Sequence, residues 1–417
     1  MFLSRFHAES SRSSLESKPM RRIDLKKAQA ARLNTIRDIN RQIVLNYVRD
    51  REPISRAEIS RETELQRSTI STIVDALKED GLIEEIGEGE STGGRRPTML
   101  RLRMAGPIAI GVAIRPTRTV VATSNLAGRV IDQEQFPSDP DPEAALQQII
   151  SSVRHFSERN KASIEAVGVT IPGLVDPATG HAIYVPYFKW RDLAIEQSIA
   201  AATGLPVTID NDANSVALAE LWFGRPEVTD ARDFILILVG AGVGTGIIID
   251  GQVYRGESGA AGEFGHMIVG TEAPVACSCG NYDCWEAFSS ERAALARYRR
   301  LCGERTQPES LSFSLLVDRA LGGEAEAVTA LVETAHYLGI GISNLVVGFS
   351  PEVVVVGGEI SRAWSLIEGA LTETIDRSVR RGLPTARIVP STLGSNPSLM
   401  GALSLVLASK FGAAFAA

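Results

Sequence analysis

Residues 234–250 read FILILVGAGVGTGIIID. Two apolar runs of strand length, rich in β-branched residues, flank a glycine-rich turn, so the segment reads as a β-hairpin. Upstream, residues 107–123 read PIAIGVAIRPTRTVVAT, again strand, turn, strand. Downstream, VVVVGG at 353–358 is a strand that ends on two glycines. A single glycine-rich turn is explained by turn chemistry alone. Three such segments in order say more than turn chemistry does.

That order resembles the actin-like sugar-kinase architecture. The chain has 417 residues, 44% hydrophobic and 22% charged. It is too long for one core and is expected to form about two to four domains, and its apolar content excludes wholesale disorder. Four cysteines exclude a disulfide-stapled secreted scaffold, and three of them fall within eight positions, which suggests metal chemistry in a reducing compartment. The N-terminal MFLSRFHAESSRSS lacks the apolar stretch of a secretory signal. The longest uncharged run, Ile388 to Ser409, holds Pro390, Pro397, Asn396 and five serines, too polar and too broken for lipid. A cytoplasmic location is therefore expected.

The net charge of −7 is unevenly distributed. Residues 1–20 carry three Lys/Arg against two Asp/Glu, residues 21–103 carry 17 against 14, and residues 104–417 carry 23 against 34. A mildly cationic head on an acidic body hints at nucleic acid as a partner of the head.

Residues 1–31 are polar, with a serine cluster and no apolar period, and are expected to be a disordered arm. A helix is predicted from near Thr35, with Ile36, Ile39, Ile43 and Tyr47 as its buried stripe. Ser55-Arg-Ala-Glu58 has the form of a capping box that opens a short helix to about Glu62. After a turn at 63–66, a third helix is predicted from Arg67 to Asp80, with Ile70, Ile73, Val74 and Leu77 on one buried face. Its other side shows Arg67, Ser68, Thr69, Ser71 and Thr72, with Gln66 just before it and no acid until Asp75. A helix entering the DNA major groove needs such a face. Leu82–Ile86 and Thr98–Leu102 read as a hairpin whose loop carries Gly93-Gly94-Arg95-Arg96-Pro97. Helix, helix, turn, helix, hairpin is a winged helix-turn-helix, in which Arg95 and Arg96 could reach the minor groove or phosphates. A protein-interaction module of the same shape is the competing reading, and Glu88 and Glu90 in the wing count mildly in its favour.

In the body, Ile209-Asp-Asn-Asp-Ala-Asn214 ends a strand and opens a helix. An amide and a carboxylate there could grip neighbouring sugar hydroxyls, and the carboxylate could act as a general base. An Asx-rich helix cap would explain the same residues. Gly265-His266 followed by Cys277-Ser-Cys279-Gly-Asn-Tyr-Asp-Cys284 can supply one imidazole and three thiolates, a closed tetrahedral Zn²⁺ shell of the structural kind, with cysteines packed as small apolar groups as the plain alternative. Glu263 and Glu286 flank this loop, where carboxylates suit capture of vicinal hydroxyls, while solvated surface acids are the plain alternative. Cys302 stands alone in a helical stretch.

Together these residues resemble the ROK family (repressor, open reading frame, kinase), specifically its DNA-binding repressor branch, over about residues 35–410. The resemblance rests on Ser55-Arg-Ala-Glu58, Gly93-Gly94-Arg95-Arg96-Pro97, Ile171-Pro-Gly-Leu-Val-Asp176, Asn211-Asp-Ala-Asn214, Glu263-Phe-Gly-His266 and the cysteine cluster. It implies an α/β fold in which a winged helix-turn-helix at 32–103 precedes a two-lobed actin-like domain at 104–417. Lobe one would span about 104–220 plus 395–417, and lobe two about 221–394. It implies a monosaccharide site at Asn211, Asp212, Glu263, His266 and Glu286 with Gly173 nearby, and structural zinc on His266, Cys277, Cys279 and Cys284. One ring nitrogen of His266 would then ligate the metal while its other edge approached the sugar. In kinase members the residue matching Asp212 is the general base.

Three departures matter. Asp283 stands where a glycine usually precedes the last cysteine, which puts that turn in question. The first hairpin of kinase members resembles Asp-x-Gly-Gly-Thr, whereas this chain reads Ala113-Ile-Arg-Pro-Thr117, without the Mg²⁺-positioning acid or the glycines that approach phosphate. Ala241 takes the place of a threonine in the second hairpin. The expectation is a sugar-responsive regulator, a repressor of carbohydrate-uptake or catabolic genes, acting as a homodimer or tetramer on operator DNA without kinase activity. A bifunctional sugar kinase with a DNA-binding head, and a regulator controlled by a partner protein, are the alternatives.

Overall fold

The computed structural model describes residues 33–89, 96–104, 108–160, 164–303, 311–379, 382 and 385–412. The expected arm at 1–31, the wing residues Glu90, Gly93, Gly94 and Arg95, and the side chain of Ile36 lie outside what it describes.

The head comprises α1 (Leu33–Arg51), β1 (Ile54–Ser55), α2 (Arg56–Thr63), α3 (Arg67–Glu79), β2 (Ile83–Glu88) and β3 (Thr98–Leu102). The capping box forms: Ser55 N–H donates to Glu58 Oε2 at 2.8 Å, and Glu58 N–H donates to Ser55 Oγ at 3.3 Å. In α3 the buried residues are Ile70, Ile73, Val74 and Leu77, as their spacing predicts. In α1 the expected stripe is displaced. Val44, Leu45 and Val48 are buried, while Ile39, Ile43 and Tyr47 are only half-buried. The reason is tertiary, because α1 is packed against α3 and β3 as well as the C-terminal helix of the chain. The hairpin also shifts, its first strand starting at Ile83 and reaching Glu88. The unexpected β1 adds a third strand, Ile54 opposite Leu100.

The body opens with β4 (Ala109–Ile114), β5 (Arg118–Ser124), β6 (Val130–Pro137), α4 (Pro142–Arg159) and β7 (Ala166–Ile171). The strands β8 (Leu174–Asp176), β9 (His181–Val185) and β10 (Trp190–Leu193) form a small antiparallel sheet. Then come α5 (Ile195–Thr203), β11 (Val207–Asn211), α6 (Asp212–Phe223) and α7 (Pro226–Thr229). The first main sheet has the order β11-β7-β4-β5-β6, with β11, β7 and β4 parallel. Along β4 and β7 large and small residues alternate. Ile110, Val112, Val167 and Val169 join the core under α4 and α5. The small face, with Ala109, Gly111, Ala113 and Gly168, receives the last helix, and a Cβ on Gly168 would lie 1.9 Å from the Ala402 carbonyl oxygen.

The second main sheet has the order β14-β13-β12-β15-β16, built from β12 (Phe234–Val239), β13 (Val243–Ile249), β14 (Gln252–Val253), β15 (Val353–Gly357) and β16 (Arg387–Pro390). Between β14 and β16 the chain forms α8 (Trp285–Ser289), α9 (Glu291–Cys302), α10 (Phe313–Leu321), α11 (Ala325–Phe349) and α12 (Trp364–Ser378), and α13 (Pro397–Gly412) follows β16. Both expected hairpins are therefore present, as β4–β5 and β12–β13. Helix α11 is long and apolar enough to cross a membrane by length and composition, but 61% of its most apolar window is buried in protein, and it packs against α12 and α9. It is the core helix of the second sheet.

Helix α6 lies between the two sheets. Ala213, Val216 and Ala217 share a core with Phe234, Leu236 and Leu238 of β12, and α13 lines its other side. Two glycines of the segment 234–250 serve this contact rather than the turn: a Cβ on Gly246 would meet Ala213 O at 2.4 Å, and one on Gly244 would meet Ala213 Cβ at 2.9 Å.

Candidate functional site: a cleft beside a cluster of one histidine and three cysteines

The cleft is built where β11 ends and α6 begins. Asn211 is the N-cap of α6, its Oδ1 accepting from Ala213 N–H at 2.8 Å and Asn214 N–H at 3.2 Å. Its Nδ2 donates to the carbonyl of Gly173 at 2.9 Å. Gly173 has φ 103°, and a Cβ there would meet Tyr184 O at 2.4 Å, so this loop requires glycine. The cap reading of Asn211 is thus correct as structure, and it leaves Asp212, the first helical residue, at the cleft. Asp212 is deeply enclosed yet keeps part of its surface open. Its carboxyl is pushed up to about 6: burial raises it most, Ala213 N–H and Arg115 draw it down, and the Glu263 carboxylate adds to the rise. A carboxylate poised near neutrality suits either hydroxyl recognition or proton abstraction.

Behind it, Asp210 is 2% exposed at its side chain and holds a two-pronged ion pair with Arg255, at 2.8 Å from Nε and 2.7 Å from Nη2. The other Asp210 oxygen accepts from Asn211 N–H at 2.8 Å. Arg255 follows β14, so this pair ties the second sheet's segment to the strand that carries the site.

Glu263 and His266 lie on a short 3₁₀ turn, Glu263–His266, with Oε2 to Nε2 at 3.5 Å. The opposite ring nitrogen, Nδ1, is 3.3 Å from Cys277 Sγ. The sulfurs of Cys279 and Cys284 are 3.8 Å apart, and one donor atom from each of His266, Cys277, Cys279 and Cys284 lies within 4.8 Å of every other. A tetrahedral ion with Zn–S of about 2.3 Å and Zn–N of about 2.0 Å sets edges of roughly 3.5–3.8 Å. The donor set therefore fits a zinc-sized ion bound through His266 Nδ1, with Nε2 directed to the Glu263 carboxylate, a pairing that fixes the ring. Asp283 keeps the turn that a glycine would make: its φ is 60°, a region Asp tolerates, and its Oδ1 accepts from Ala273 N–H at 2.9 Å.

Glu286, at the start of α8, is buried and heavily engaged. Oε1 accepts from Ser278 Oγ at 2.7 Å, Ser278 N–H at 3.2 Å and Arg292 Nη2 at 3.0 Å, and Oε2 accepts from Val243 N–H at 3.3 Å. It clamps the cysteine loop to β13, and much of its acceptor capacity is used in doing so. Sequence reasoning missed four neighbours. Ser278 had a signal, lying between two of the cysteines. Tyr187, whose hydroxyl burial and the Glu286 charge push upward, Arg292, and Glu291, which burial pushes up to about 7, had none. Arg115 of the first hairpin turn lowers both Asp212 and Glu291, so a cation faces this cleft from the first sheet.

On the head, Gln66, Arg67, Ser68 and Thr72 are exposed, while Thr69 and Ser71 are half-buried. Thr72 Oγ1 donates back to Ser68 O at 3.1 Å. Two acids beside this face are paired: Asp75 with Arg56 at 2.7 Å, and Glu85 with Lys78 at 2.8 Å. Arg96 is exposed at the base of the wing. The face thus offers hydrogen-bonding groups and one guanidinium to a polyanion, with Asp75 and Glu85 beside it already paired.

Comparison with known proteins agrees with this architecture. Residues 109–409 match the ROK family, and residues 43–96 match the MarR family. The xylose repressor of Bacillus spizizenii is 31% identical over 377 residues, covering 89% of this chain and 96% of its own. A solved ROK family transcriptional regulator, a homologue of the E. coli Mlc protein, aligns with a TM-score of 0.71 at 27% identity over 90% of this chain and all of that one. A ROK family glucokinase from Streptomyces griseus, solved with glucose and AMPPNP, aligns with a TM-score of 0.65 at 29% identity over 72% of this chain and 98% of its own.

Proposed function

The chain belongs to the ROK family, with a MarR-type winged helix at its N-terminus, and from that premise we propose that it is a sugar-responsive transcriptional repressor. The head at 32–103 would read operator DNA through Gln66, Arg67, Ser68, Thr69, Ser71 and Thr72 of α3 and its approach, with Arg95 and Arg96 on the wing. The body at 104–417 would hold a monosaccharide between Asn211 and Asp212 on one side and Glu263 and His266 on the other, near Gly173 and Glu286. Zinc on His266, Cys277, Cys279 and Cys284 would act structurally, fixing the ring that Glu263 pairs with. A homodimer would place two heads on half-sites about one helical turn apart or a multiple of it. The cytoplasm is the compartment that operator DNA and free thiols require.

What supports this reading is the union, in one chain, of an exposed α3 face with the grouping of Asp212, Glu263 and His266 near a first hairpin turn that reads Arg115-Pro116. Proline fixes its backbone and removes an N–H, and the arginine puts a side chain where phosphate would need bare backbone. Sugar binding without phosphoryl transfer is what such a cleft supports. A thermal-shift screen of pentoses, hexoses, N-acetylated sugars and sugar phosphates tests the first half, since a ligand at 100 times its Kd adds about 2.7 kcal/mol. An ATP-coupled assay on the same panel tests the second, and robust turnover would favour the bifunctional kinase instead.

A further inference from the structure

One helix connects the cleft to the head. At its N-terminus α6 carries the cap Asn211 and the acid Asp212, and the preceding Asp210 is gripped by Arg255. At its C-terminus, Trp222 and Phe223 pack against an apolar cluster that head and body build jointly, from Val44, Leu45 and Val48 of α1 and Leu403 and Val406 of α13. The guanidinium carbon of Arg49, on α1, lies 4.6 Å from the centroid of the Trp222 ring. The helix between these ends is twelve residues long, about 18 Å.

The rod has little slack. DANSVALAELWF contains neither glycine nor proline, the usual sites of a kink. Its flanks are held by backbone-close contacts, at Gly246 of β13 on one side and at Gly401 of α13 on the other, where a Cβ would meet Ser215 at 2.9 Å. A packed helix of this kind moves as a unit, so a displacement at Asp212 must reappear at Trp222. Helix α1, which receives it, packs directly on α3.

We propose that α6 transmits the state of the cleft to the DNA-binding head, and that the Trp222–Arg49 contact is its output. The inference rests on the reading of the cleft as a sugar site and of the head as an operator reader. Arg49 and Trp222 belong to neither binding face, so they affect communication and not affinity for either ligand alone. Allosteric coupling of this kind is commonly about 5–150-fold in affinity.

The test uses the full-length protein, a DNA duplex selected from a random library by the wild type, and D-xylose, D-glucose and N-acetyl-D-glucosamine as probes. Calorimetry gives sugar affinity without DNA, and anisotropy gives duplex affinity with and without saturating sugar. In Trp222→Ala both separate affinities should stay within about threefold of wild type while the ratio between sugar-free and sugar-bound duplex affinity falls towards one. Trp222→Phe, which keeps an aromatic face under the guanidinium, should restore most of that ratio. Coupling at the wild-type level in Trp222→Ala overturns the inference and leaves the functional reading standing. If no sugar changes duplex affinity in the wild type, that reading falls and the inference with it. Should Trp222→Ala fail to fold, Arg49→Gln carries the test, and undiminished coupling in it has the same refuting force.

Discussion

Glu220 is a buried acid in the C-terminal part of α6. Its side chain is fully buried, and the Ser391 hydroxyl approaches its carboxylate without closing a well-formed hydrogen bond. Burial pushes its carboxyl up to about 7 from an ordinary 4.5, and the nearby Ser391 and Arg225 draw it down only in part. The folded protein therefore binds this proton more tightly than the unfolded chain does. The sign follows directly: the group costs nothing well below pH 4.5, and stability is lost as pH rises from there through 7. The loss levels off at about 3 kcal/mol above pH 7 and is under about 1 kcal/mol at pH 5. Glu220→Gln keeps the shape and removes the charge. Any fixed cost of burying the amide is the same at both pH values, so the difference between them isolates the ionisation. Urea unfolding followed by circular dichroism should show the variant gaining about 2–3 kcal/mol on wild type between pH 5 and pH 8. The other acids raised by burial, Asp212, Glu263 and Glu291, titrate in both proteins and cancel. Parallel pH profiles for the two would refute the burial of the Glu220 carboxyl and with it the tight packing of α6.

Four further outcomes are expected. Ser55→Ala removes the capping box and should destabilise the head by about 1–2 kcal/mol while leaving zinc content and sugar binding unchanged, as read by calorimetry and metal analysis. Cys284→Ser should lower bound zinc from one equivalent to a trace and weaken sugar binding, because the imidazole beside Glu263 loses its anchor. Gly168→Ala drives a methyl into the Ala402 carbonyl and should cost about 3 kcal/mol in urea unfolding, the upper end for overpacking. Because Asp212 titrates at about 6 and its carboxylate is the form that accepts a hydroxyl, sugar affinity measured by calorimetry should rise as pH climbs through 6 and level above it. In Asp212→Asn it should be weak and flat with pH.

What was legible in the sequence is what local chemistry determines. Ser55 and Glu58 form a box across three residues, Ile70 to Leu77 repeat at helical spacing, and His266 with three nearby cysteines already defines a donor set. The hairpins at 109–124 and 234–249 were legible for the same reason, with turn residues between apolar runs. What escaped depends on contacts between distant segments. The buried face of α1 is rotated because α13, from the other end of the chain, packs on it. Strand β1 has two residues and exists only through its pairing with β3. Gly244 and Gly246 read as turn residues, but their lack of a side chain is used by α6. Arg255, Tyr187 and Arg292 are ordinary in sequence and become part of the site through folding, Arg255 by gripping Asp210 and the other two by facing Glu286.

A sugar-responsive repressor requires that one ligand, a sugar, change the affinity of the same chain for DNA. The most direct measurement of that change is the anisotropy of a labelled duplex, selected by the full-length protein, titrated with that protein alone and in saturating sugar. One sugar of the panel should shift duplex affinity by about 5–150-fold, and Asp212→Ala should bind the duplex as wild type does but no longer respond. Sugar binding seen by calorimetry with unchanged duplex affinity, or an undiminished response in Asp212→Ala, would contradict it.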